Sequence, residues 1–182
     1  MSTKKEGAKT RRPRSARAPD VLFVDYDNCL HRCDAYVQGQ DVVASEPGVA
    51  LFEFAEILEQ ALRPYPQVKI VLSTDWVEVL GFERARDALP PGLRERVVGS
   101  TRADESDEPG FSDLTRGEQI RRYVVRHQLR SWVAIDDRRD GFEPFPEQLV
   151  HCQPGVGLGD GDVQMRLAHR LYALLHVAWD WG

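Results

Sequence analysis

Val21-Leu22-Phe23-Val24-Asp25-Tyr26-Asp27-Asn28 sets four apolar residues ahead of two carboxylates spaced one residue apart, then an Asn. An unbroken apolar run that stops at polar residues reads as a strand covered on both faces, because a half-exposed strand would alternate. Similar runs recur at Val68–Leu72 and Trp132–Ile135, with shorter ones at Arg96–Val98 and Leu149–Cys152. Helical periodicity fills the gaps. One helix is expected from about Pro47 to Leu62 and a second from about Trp76 to Ala88. A third starts near Arg116, with Ile120, Val124 and Leu129 apolar, and a last one spans about Val163 to Ala178. Alternating strands and helices predict βαβ units with right-handed crossovers. The expected fold class is therefore α/β: a three-layer sandwich with a Rossmann-like, mostly parallel sheet in residues 19–182, with no internal repeat and no second domain.

Composition narrows the classes. The 182 residues are 42% hydrophobic and 29% charged, enough for one domain with a core. No apolar run approaches the length of a membrane span, and no apolar segment follows the basic start as in a secretory signal. Residues 1–18 carry seven cations against Glu6, a local +6 that leaves −11 on the rest of a chain whose formal charge is −5. With so few apolar residues this tail is expected to be a disordered, solubilising leader, although it would also attract a polyanion. The acidic body argues against a broad nucleic-acid-binding face. Three cysteines, Cys29, Cys33 and Cys152, make no disulfide framework, and a reducing cytoplasm is the expected setting. Cys29, His31 and Cys33 alternate closely, but the spacing is not a usual zinc pattern and no fourth ligand is evident. Trp76, Trp132, Trp179 and Trp181 read as packing residues.

Ligands of such sheets bind beyond the carboxyl ends of the strands, so the residues there carry the chemistry. Asp25 and Asp27 follow the first strand, Ser73, Thr74 and Asp75 the second, and Asp136 and Asp137 the fourth. Carboxylates gathered beyond two strands repel one another unless a hard cation neutralises them, and Mg²⁺ suits an all-oxygen site. Ser73, with Thr74 beside it, and Arg116 offer hydroxyls and a bidentate cation, which suit a phosphate. Thr115 and Glu118 are spaced as a capping box, which places Arg116 in the first helical turn, where backbone N–H groups already favour an anion.

Four motifs in this order resemble the haloacid dehalogenase (HAD) phosphohydrolases: Asp25-Tyr26-Asp27 after a strand, Ser73 ending a strand, Arg116 opening a helix, and Asp136-Asp137 after a strand. The resemblance covers about residues 20–178. Leu72-Ser73-Thr74-Asp75-Trp76, Val98-Gly99-Ser100-Thr101, Ala134-Ile135-Asp136-Asp137-Arg138 and Gly157-Leu158-Gly159 further resemble HAD domains of the RNA-repair "Swiss army knife" group. The Ala-Ile-Asp-Asp-Arg run is also similar to polynucleotide 3′-phosphatase domains. The resemblance implies a Mg²⁺-dependent phosphohydrolase. Asp25 would be the nucleophile that forms an aspartyl-phosphate, and Asp27 the general acid and base. The metal would sit on Asp25, Asp136 and the Asp27 backbone carbonyl, with Asp137 in its outer shell. Ser73 and Arg116 would hold the transferring oxygens. Asn28 stands where Gly is frequent, and Asn tolerates left-handed backbone angles.

Leu30–Ser45 leaves room only for a small hairpin, and Thr74–Thr115 is already occupied by a helix, a strand and the acidic loop Asp104–Glu108. No large cap is expected. An open site admits a phosphorylated macromolecule, a nucleic-acid end among them, or relies on an oligomer to cover it, and the acidic loop would repel a polyanion at that mouth. Two other functions compete. Asp25-Tyr26-Asp27-Asn28 also resembles the opening of NYN/PIN-like metal-dependent ribonucleases, but Asp75 stands alone where they carry a second acidic run. A non-catalytic HAD fold would serve as a binding module, yet both Asp25 and Asp27 are present. A phospho-receiver domain is excluded by motif order.

Overall fold

A computed structural model describes residues 19–102 and 110–176. The basic tail, the acidic loop, Trp179 and Trp181 lie outside the described residues. Five parallel strands form the central sheet: β1 (Val21–Val24), β4 (Lys69–Leu72), β5 (Val97–Ser100), β6 (Trp132–Asp136) and β7 (Leu149–His151), in the order β5-β4-β1-β6-β7. All four residues of β1 are buried, as its unbroken apolar run requires. The chain moves outward from β1 to β4 and β5, then returns to the other side of β1 for β6 and β7. That reversal opens a crevice at the carboxyl ends of β1 and β6.

Two apolar layers flank the sheet. On one face Leu22, Val24, Ile70, Leu72, Val133 and Ile135 pack against the helices α1 (Ala55–Leu62) and α6 (Gly161–His176). On the other, Val21, Phe23, Val71 and Ala134 meet Ile120 and Tyr123 of α5 (Arg116–Arg126). The α/β three-layer architecture is the expected one. Between β1 and α1 lies only an antiparallel hairpin, β2 (Ala35–Gln38) and β3 (Asp41–Ala44), and no large cap is inserted among the described residues. Among those residues, no helix is long and apolar enough to cross a membrane.

Two helices depart from the periodicity. The first begins at Ala55, not Pro47, because Phe52 adopts a left-handed φ of 61°. That turn sets its ring edge-on to Tyr26, His31 and Trp76, at centroid distances of 5.1, 5.5 and 5.4 Å. The second is split into α2 (Trp76–Leu80) and α3 (Phe82–Asp87) by Gly81, whose φ of 82° ends one helix and starts the next. A further short helix, α4 (Pro91–Arg94), opens on the proline that begins its first turn. Apolar spacing carries no information about a single left-handed residue, so neither break was legible in it.

Candidate active site

Strand register brings the predicted residues to one level. Val24 pairs with Leu72 on one side and Ile135 on the other, so Asp25, Ser73 and Asp136 follow at the same height. The ladder continues one step beyond the strands: Asp25 N donates to Ile135 O at 3.1 Å and Ser73 N to Val24 O at 3.0 Å. Asn28 then turns the chain with φ 58°, the left-handed conformation its residue type tolerates. Its Nδ2 donates to Asp34 Oδ1 (2.8 Å) and Asp137 Oδ2 (3.2 Å), which ties the loop after β1 to the loop after β6.

One carboxylate oxygen each from Asp25, Asp136 and Asp137 lies within 4.8 Å of the others. The group is compact and dry: Asp25 and Asp136 are buried and Asp137 is half-buried. Burial pushes the Asp25 carboxyl up to about 7; the Arg116 guanidinium opposes this, while Asp137 and Asp27 add to it. Asp136 is raised well above the carboxylate range by burial and by Asp25, against Arg116. Asp137 is raised by burial, against Arg138 and the Asn28 amide. Three carboxylates held this way are a site for a positive charge.

Arg116 supplies one charge of that sign. Its side chain is buried, with Nη2 3.9 Å from Asp25 Oδ1 and 3.3 Å from Asp75 Oδ1, and Nε 3.3 Å from Asp136 Oδ2. Burial alone would lower its basicity, but four aspartates outweigh that and hold it protonated. Glu118 closes the predicted capping box, accepting from Thr115 N at 2.9 Å. The helix N-terminus is not open to a ligand, however. Arg116 N donates to Asp140 Oδ2 at 3.2 Å and Gly117 N to Asp140 O at 3.0 Å, so these groups dock the loop after β6. Only the guanidinium reaches the cluster.

Whether these residues fit a cation and a phosphate is tested by their unused bonding capacity. Asp136 Oδ1 accepts from Arg138 N at 3.0 Å and its Oδ2 has only the ion pair with Arg116 Nε, whereas the buried Arg116 Nη1 and Ser73 Oγ carry no hydrogen-bond partner. Each orphaned polar group costs about 1–3 kcal/mol, so a cluster of them marks a place shaped for something else. An acceptor, a cationic donor and a hydroxyl are the donor set that a cation and a phosphate would satisfy. Thr74 is buried too, but its Oγ1 already accepts from Trp76 N at 3.3 Å.

Asp27 stands apart from the acidic cluster. Trp76 Nε1 donates to both its oxygens, at 3.1 and 3.2 Å, and Nε2 of the fully buried His31 lies 3.0 Å from Oδ1. The indole read as packing is therefore also a hydrogen-bond donor to a site residue. Cys29 and Cys152 are buried thiols, and among the described residues the aspartate trio is the cluster able to hold a metal.

Sequence reading places Asp75 beyond the second strand but gives it no role in the site. It bonds three arginines, accepting from Arg102 (3.1 Å) and Arg116 (3.3 Å) on Oδ1 and from Arg138 (2.8 Å) on Oδ2. Burial raises this carboxyl, but the three guanidiniums outweigh burial and lower it. A ribonuclease-type site would need Asp75 among the metal-binding carboxylates, and it is held by cations instead. No spacing rule links residues 75, 102, 116 and 138, so only the fold reveals this group.

No curated protein matches the chain. Residues 21–163, which run from β1 into α6 and include every residue of the site, match the family described as the HAD domain in Swiss Army Knife RNA repair proteins. A match over well over half the length, on a five-stranded parallel sheet with the acidic cluster at its carboxyl edge, shows that the chain belongs to this HAD family.

Proposed function

We propose that this protein is a Mg²⁺-dependent phosphomonoester hydrolase working through an aspartyl-phosphate on Asp25. The observation that carries the reading is the buried Asp25–Asp136–Asp137 cluster facing the Arg116 guanidinium, with Ser73 Oγ unpartnered beside it. Asp25, Asp136 and the Asp27 backbone carbonyl would hold the cation, with Asp137 outside them. Bound there, the ion would offset the charge between nucleophile and phosphate. A carboxylate oxygen of Asp25 attacks phosphorus and the bond to the leaving oxygen breaks, while Asp27 gives that oxygen a proton. Water then attacks the aspartyl-phosphate and passes a proton to Asp27, which releases inorganic phosphate and restores Asp25. Arg116 and Ser73 hold the non-bridging oxygens, and Trp76 and His31 hold the Asp27 carboxyl in place.

The lack of a large cap among the described residues and the matching family's description as a domain of RNA repair proteins support a macromolecular phosphate, a nucleic-acid end, as substrate. The test is hydrolysis of p-nitrophenyl phosphate with Mg²⁺ and with EDTA. Turnover that needs the metal is expected; none under either condition, with RNA cleaved instead, would replace the reading with a nuclease.

Cation binding also predicts a pH effect on stability. The Asp25 carboxyl is raised from 3.8 to about 7 by folding, so between those values the native state holds a proton that the unfolded chain has released. Stability of the metal-free protein therefore falls as pH rises through that window, by up to about 4 kcal/mol. A cation favours the ionised form and removes the penalty. Melting temperature in EDTA is expected to drop from pH 5 to pH 7.5, and Mg²⁺ is expected to raise it more at pH 7.5 than at pH 5. A flat profile with no response to Mg²⁺ would contradict the assigned cation site.

A further inference from the structure

Beside the catalytic cluster a cleft of about 310 Å³ opens between the β2–β3 hairpin and α2. Its lining comes from Tyr36, Val37 and Val42 of the hairpin and from Trp76, Val79 and Leu80. Asp27 and Asp75 are its only charged lining residues among the described residues. We propose that this cleft is the leaving-group subsite, and that it takes a flat, uncharged ring system of nucleobase size carried on the leaving oxygen. The inference rests on the phosphohydrolase reading and adds the kind of leaving group it acts on.

The placement follows from Asp27. A general acid must come within hydrogen-bond reach of the leaving oxygen, so whatever that oxygen carries starts next to the Asp27 carboxyl. Asp27 lines the cleft, whereas Asp25, Asp136 and Asp137 do not. The group beyond the leaving oxygen thus passes away from the acidic cluster and between hairpin and helix.

Chemistry of the walls selects the group. Val37 and Val79 are 43% and 66% exposed and line this cleft from its two walls, Val37 sharing the hairpin face of Ala35 and Val42. Scattered exposed apolar side chains are ordinary; two set across a cleft beside a catalytic carboxylate mark a surface meant to be covered. Among the described residues no cation lines the cleft, and the three guanidiniums behind Asp75 are already paired to it, so a second phosphate placed there would face the Asp27 carboxylate with no cation of its own. An uncharged ring meets no such cost, and the apolar side chains of Val37, Val42, Val79 and Leu80 cover it. The volume lies at the small end of small-molecule sites, suited to a single ring system and not to a folded peptide.

The walls are also held in place. Arg84 Nη2 donates to Gln40 O at 2.9 Å and ties the hairpin tip to α3, while Ser45 N donates to Asp34 O at 2.9 Å at its base. Edge contacts with Tyr26 and Phe52, both at 5.4 Å, and the bonds to Asp27 fix the Trp76 indole. The hairpin backbone and the indole are therefore already in place when a ring enters, which lowers the ordering cost of binding.

Adenosine 3′-monophosphate and the abasic ribose 3-phosphate share one leaving alcohol and differ only in the ring. With Mg²⁺, kcat/KM is expected to be about tenfold or more higher for the adenosine compound. The double variant Val37→Ser, Val79→Ser is expected to bring that ratio close to one. Val125→Glu, at a residue 68% exposed on α5, should leave the ratio as in wild type. A 3′-phosphorylated oligonucleotide and its abasic-ended counterpart separate the two sources of such a ring. Higher kcat/KM than for adenosine monophosphate identifies a nucleic-acid end, and equal values identify a free nucleotide. A wild-type ratio near one, or a ratio unmoved by the double variant, overturns the subsite while leaving the phosphohydrolase standing. Failure to hydrolyse any of these compounds or p-nitrophenyl phosphate overturns both.

Discussion

Asp25→Asn is expected to lower Mg²⁺-dependent phosphate release by at least about 1,000-fold, the loss typical of removing a covalent nucleophile. The substitution keeps the side chain's size, and residue 25 is only 4% exposed, so the sheet edge has no reason to rearrange. What disappears is the attacking carboxylate and one negative charge facing Arg116 and the cation site. The variant should consequently melt close to wild type in EDTA at pH 5, and its melting temperature should decline less towards pH 7.5, because one group raised by burial no longer titrates. Steady-state hydrolysis and melting curves on the same preparations separate chemistry from folding. Activity within tenfold of wild type would show that Asp25 is not the nucleophile.

Gly117→Ala is expected to cost about 2–3 kcal/mol of stability, or roughly 4–12 °C in melting temperature. A Cβ on Gly117 would lie 2.2 Å from the carbonyl carbon and oxygen of Gly141 and 2.8 Å from Phe142 N. All three are backbone atoms and cannot swing aside. Alanine would otherwise help a helix by about 1 kcal/mol, so a net loss shows that the contact dominates. Relief requires the start of α5 and the loop after β6 to part. That movement displaces Arg116 on one side and the Asp136–Asp137 segment on the other. A shift of about 1 Å at such positions lowers turnover on the order of 100-fold. Gly92→Ala is the contrast: its Cβ would meet only the carboxylate end of Glu59, at 2.7 Å, and a flexible side chain can turn away. Gly92→Ala should melt within about 1 kcal/mol of wild type. If Gly117→Ala matched it in stability and activity, the close approach of α5 to the loop would not position the site.

The strands and the order of their chemistry were legible along the chain, because both are local. An apolar run such as Val21–Val24 must be covered on both faces whatever surrounds it, and the residues after a parallel strand must come to the sheet's carboxyl edge. That is why Asp25, Ser73, Asp136 and Asp137 could be singled out from the linear sequence, with Arg116 added by the capping box that opens its helix, and why a mostly parallel sheet was expected. Helix limits were less legible. They turned on Phe52 and Gly81, single residues whose left-handed φ answers to ring packing and chain reversal and not to apolar period.

Three features belong to tertiary structure alone. Asp75 meets arginines from three other segments, at positions 102, 116 and 138, and pairing across such separations leaves no spacing to read. Trp76 donates to Asp27 although its residue type predicts only packing. The cleft at Asp27 exists because a hairpin that follows β1 comes to lie beside a helix that follows β4. Composition and periodicity specify which surfaces a segment must bury, but which of the remaining polar groups meet is set by register and by the direction in which the sheet reverses.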